Sequence, residues 1–85
     1  MLENLNEVNL PKVVKDLANK IPEKFDDEDL YKIVNASKKI DLSEPTLEIL
    51  LDFIIKKRKY KYLSDLLIAK YQALSYLRKL FLKSP

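Results

Sequence analysis

Hydrophobic positions along this chain recur every three or four residues almost from end to end, the spacing that lines up one face of an α-helix. Val13, Val14, Leu17, Ala18 and Ile21 share one such face. It begins after Asn9, with Pro11 in the opening turn, where a missing amide proton costs nothing, and Pro22 closes it. A second face, Leu30, Ile33, Val34, Ser37 and Ile40, follows the acidic opening FDDEDL. There Asp26 is placed to cap the helix, and Asp27, Glu28 and Asp29 sit at the positive end of its dipole. The segment from Asp41 to Pro45 ends that helix and starts the next, with Ser43 as cap and Pro45 in the first turn.

The third stretch, TLEILLDFIIKK, is apolar around about two-thirds of its circumference, leaving only Glu48, Asp52 and Lys56 as a polar stripe. That pattern predicts the most buried helix, with neighbours on several sides and an Asp52–Lys56 pair one turn apart. The last stretch predicts the longest helix, from about Tyr62 to Leu82. One stripe holds Tyr62, Leu66, Ala69, Ala73, Tyr76 and Leu80. Beside it run Leu63, Leu67, Leu74, Leu77 and Phe81, interrupted by Lys70. Ahead of all these, Leu2, Leu5 and Val8 are loosely spaced, so residues 1–9 form either a short helix or a mobile arm.

Strand alternation and glycine-bearing hairpin turns are missing. The reading is an all-α protein: one helical domain over residues 1–85, a compact bundle of about four helices with a long amphipathic C-terminal helix.

Composition then removes whole classes of chemistry. The chain has no Gly, Cys, His or Trp, and its single Met is residue 1. Thiolate metal sites and disulfides are excluded, and the usual general base is missing. Phosphate-cradling glycine loops and nucleophile elbows need backbone conformations that glycine readily supplies. No residue set can be given acid, base and nucleophile roles, so the expectation is no enzyme and no cofactor. The run Asp26–Asp29 diverges around a helix start and suits capping better than a metal. Met1-Leu2-Glu3-Asn4 lacks the basic start of a signal peptide, and no apolar run approaches a membrane span. A cytoplasmic protein is expected. The richness in Lys, Ile, Leu and Tyr suits a thermophile or an AT-rich genome.

Charge is divided unevenly: residues 1–43 carry net −2 and residues 44–85 net +5. Its sharpest concentration is KKRKYKY, residues 56–62. A continuous helix there would drive some of these cations into the core, so the segment predicts a helix break and a basic turn. Cations at a helix C-terminus favour its dipole and aid solubility. The same Lys56, Lys57, Arg58, Lys59 and Lys61 also suit phosphates or an acidic partner, with Tyr60 and Tyr62 available to stack on bases or to pack inward. Two Arg and one Gln in the whole chain argue against sequence-specific reading of the major groove. The final helix carries more apolar surface than three short helices cover. Tyr71, Tyr76, Leu80, Phe81 and Leu82 therefore form the candidate interface for a larger protein or a second copy.

The segment KKRKYKYLSDLLIAKYQALSYLRKL, with its Lys/Tyr/Leu texture and the lack of Gly, Cys and His, resembles small all-helical accessory subunits of thermophilic archaea. The small subunits of B-family DNA polymerase holoenzymes are among these. The resemblance covers the second half of the chain, includes no defining motif and transfers no site residue. It implies a non-catalytic accessory subunit of nucleic-acid machinery, such as that of DNA replication. The alternative is a free-standing, non-specific nucleic-acid-binding protein that uses the basic turn.

Overall fold

The computed structural model of the chain describes residues 4–70 and 78–82. Helix α1 spans Leu10–Asp16, with Pro11 in its first turn. It tightens directly into a 3-10 turn, Leu17–Asn19, and the backbone extends at Ile21 (φ −90°, ψ 116°), as a residue before proline prefers. The helical register therefore stops at Leu17. Leu10, Val14 and Leu17 are buried, whereas Ala18 and Ile21, expected on the same face, are exposed.

Ahead of α1, residues 4–9 form a turn tied by asparagines, not a helix. Asn6 Oδ1 accepts from the amides of Val8 (2.8 Å) and Asn9 (3.0 Å), and Asn9 Oδ1 accepts from the amide of Asn6 (2.7 Å). This reciprocal pairing satisfies donors that open the helix, and Leu5 packs against the core beside it.

A second 3-10 turn, Pro22–Lys24, leads to α2, Asp27–Ser37. Asp26 caps it as expected, its Oδ1 accepting from the Glu28 amide at 2.9 Å. Leu30, Ile33, Val34 and Ser37 are buried, and the Ser37 hydroxyl donates to the Ile33 carbonyl at 2.7 Å, so it enters the core satisfied. Helix α3, Glu44–Lys57, is the most buried element, as its pattern predicts. Leu47, Leu50, Leu51, Phe53 and Ile54 join the aliphatic faces of α1 and α2 in one cluster. Each such side chain contributes about 1.5–3 kcal/mol on full burial. Phe53 also meets Phe25 edge to face, with centroids 5.3 Å apart.

The break predicted within KKRKYKY is present. The Arg58 amide bonds to the Ile55 carbonyl and the Lys59 amide to the Ile54 carbonyl, the paired bonds of a Schellman ending. That ending requires a left-handed residue, and in a chain without glycine Arg58 takes it (φ 63°, ψ 32°).

Helix α4 follows as Tyr60–Ala69. The long C-terminal helix predicted over 62–82 is therefore corrected: α4 has 10 residues against 14 in α3. Lys70 leaves the helix (φ −137°, ψ 123°), and its ammonium donates to the carbonyl of Ile40 across the bundle. Residues 78–82 are helical again, tied to the start of α3 by the Lys79–Glu44 ion pair. The described residues hold no strand, and the all-α class stands.

Candidate functional site

The basic turn is less free than its sequence suggests, and helix geometry explains why. Position 57 continues the buried face of α3 through Leu50 and Ile54, so the Lys57 stem must run along the core. Its side chain is 8% exposed. The ammonium has three donors and uses them all, on the carbonyls of Pro22 and Phe25 (both 2.8 Å) and on Asp27 Oδ1 (3.0 Å). A desolvated cation persists because the open end of the 3-10 turn and a carboxylate surround it. Lys59 takes the other Asp27 oxygen at 3.0 Å. Hydrogen bonds from Lys59 first and Lys57 second hold the Asp27 carboxyl below the ordinary carboxylate range.

Lys56 faces outward and pairs with Asp52 at 2.9 Å. Arg58 and Lys61 are exposed and form no ion pair among the described residues, and Tyr60 is exposed between them. Of the six residues expected at a phosphate or acidic surface, the structure thus leaves Arg58, Tyr60 and Lys61 each exposed and turns Lys57 inward. The acidic run has equally local duties: Asp26 caps α2, and Asp27 binds two lysines. No group of three or more potential metal ligands converges among the described residues.

Lys70 repeats the logic of Lys57. It interrupts an apolar stripe in the sequence, and its side chain is 6% exposed. Its Nζ donates to the Ile40 carbonyl at 2.7 Å and to Asp41 Oδ1 at 3.3 Å. Composition reading missed both lysines as inward groups. The signal was available: each lies where the hydrophobic period of its helix demands an apolar residue.

The candidate interface divides differently. Tyr71 and Tyr76 lie outside the described residues. Phe81 and Leu82 are 83% and 84% exposed, and Leu80 is also exposed. Arg78 is exposed beside them, while Lys79 is engaged by Glu44, whose hydrogen bond holds its ammonium above the ordinary lysine range. Ile68 on α4 is likewise exposed. None of the described helices is long and apolar enough to cross a membrane.

No protein-family model matches this chain, and neither the curated proteins nor the solved structures contain a match to it.

Proposed function

We propose that this chain is a non-catalytic accessory subunit that docks on a larger protein of nucleic-acid machinery through its C-terminal segment. The observation that supports this reading is the exposure of Leu80, Phe81 and Leu82 as adjoining residues, which leaves an aromatic and aliphatic anchor outside the bundle's core. Arg78 lies before them, and Lys83 follows in the sequence. Charge complementarity therefore specifies the partner surface as an apolar groove with an acidic rim.

A photo-crosslinking residue placed at Phe81 in cells tests this. A single partner should be trapped there and not from a control position at Lys12. With that partner purified, Leu82→Asp should weaken binding at least tenfold. Crosslinks only to other copies of this chain, or none above the control, would overturn the reading.

A second reading, contact of the basic turn with phosphates, is favoured by Arg58 and Lys61, exposed on either side of Tyr60.

A further inference from the structure

An open groove of about 360 Å³ runs along the outer face of α2, between that helix and the turn at residues 4–9. No acidic side chain lines it. Lys32 and Lys39 are exposed there, and neither forms an ion pair among the described residues. They lie seven residues apart, roughly 10 Å along the helix axis at 1.5 Å per residue. Between them Asn35 is exposed, and its amide, with donors and an acceptor, makes no hydrogen bond among the described residues. At one end stands Tyr31, half exposed, its ring packed on that of Tyr62 with centroids 6.2 Å apart. That contact steadies the ring without covering it. Leu5, Ala36 and Ile40 supply a small apolar floor.

A smaller groove of about 190 Å³, between Leu17 and Phe53, has a different character. Two lysines at its rim are matched by carboxylates, Lys20 by Asp16 and Lys56 by Asp52. The α2 groove alone of these two combines unneutralised cations, a flat aromatic and an amide.

We propose that the α2 groove binds a nucleotide unit of single-stranded nucleic acid, with Tyr31 carrying the base, Asn35 facing the base edge, and Lys32 and Lys39 meeting successive phosphates. An acidic peptide would satisfy the lysines but has no use for the exposed ring. A free nucleotide would use the ring and one lysine, leaving the second unmatched. The strand uses all four side chains. This site is separate from the C-terminal segment and from the basic turn, and it stands whether or not either of those binds a partner.

The test is fluorescence anisotropy of a labelled oligothymidylate strand titrated with the full chain across a series of salt concentrations. The Lys32→Ala/Lys39→Ala variant should bind at least tenfold more weakly at low salt, with a log–log salt slope shallower by about 1.4. Tyr31→Leu should weaken binding about five- to hundredfold and leave the slope unchanged. Far-UV circular dichroism checks that Tyr31→Leu, which loses a contact with Tyr62, still folds. The lysine variant alters exposed side chains only and keeps the test independent of that contact. Four results would each overturn the proposal: no binding by the natural chain at low salt, an unchanged slope in the lysine variant, competition by polyglutamate or adenosine monophosphate as strong as by the unlabelled strand, or loss of all binding in Arg58→Ala/Lys61→Ala. The last would move the strand to the basic turn.

Discussion

Helices α1 and α3 meet through aliphatic side chains: Leu10, Val14, Leu47, Leu50 and Ile54 belong to one buried cluster with no charged member. Helices α2 and α4 also contribute Leu30 and Leu66 to that cluster, but the outer edge of their contact is polar. It runs from Asp27–Lys59 through the ring pair Tyr31–Tyr62 and Lys38–Asp65 to Lys70 on the Ile40 carbonyl. The residue numbers rise together, so the two helices run side by side in the same direction. Apolar burial is non-directional and supplies most of the stabilisation. Charge-assisted bonds have defined geometry and, where exposed, little net energy. The first seam holds the bundle together, and the second sets how α4 lies on it.

That division predicts a wide gap between variants of the two seams. Leu50→Ala removes a fully buried side chain from the aliphatic seam and should cost about 2–5 kcal/mol in urea unfolding, enough to leave a domain of this size near its unfolding threshold. Lys57→Met keeps the stem and deletes the ammonium, leaving the Phe25 carbonyl without that donor and the Pro22 carbonyl with only the Phe25 amide. The expected loss is about 1–3 kcal/mol, smaller than for Leu50 but above that of any exposed pair. A loss below that of Lys38→Met, whose ion pair with Asp65 is part-exposed, would break the distinction between clasped and surface lysines.

The polar seam should also respond to acid. Asp27 has its folded value depressed, so its contribution is fully present above the ordinary carboxylate value, about 4, and is lost as pH falls through the depressed one. Asp27→Asn should flatten that acid limb of stability while leaving the Leu50→Ala penalty unchanged, as paired denaturation curves at neutral and low pH would show. The smallest effect is a gain. Arg58→Gly relieves a left-handed residue at the α3–α4 junction and should stabilise by about 0.5–1 kcal/mol, a rise of a few degrees in Tm.

Local chemistry was legible in the chain. The Asp26 cap, the buried face of α2, the dominance of α3 and the break within KKRKYKY all follow from spacing, capping residues and charge crowding. The end of α1 was less so, since Pro22 straightens Ile21 before the period can carry it inward. The candidate site was legible in part. Arg58 and Lys61 are exposed, as a solvated turn requires, and so is Tyr60, but Lys57 belongs to the core edge. The Tyr31–Asn35–Lys39 face of α2 was hidden because its residues look like ordinary solvated helix positions until a neighbouring segment forms a groove beside them.

The sequence by itself determined that this is a helical chain lacking the residues and glycine turns that most enzyme sites use, with one helix apolar around about two-thirds of its circumference. Those properties depend on period, propensity and residue type, all of which are local. Tertiary structure decided what holds the inward cations, and that α4 stops at Ala69. Lys57 and Lys70 find their partners more than twenty-five residues away, on the carbonyls of Pro22, Phe25 and Ile40. No periodicity along the chain can register a hydrogen bond across that separation.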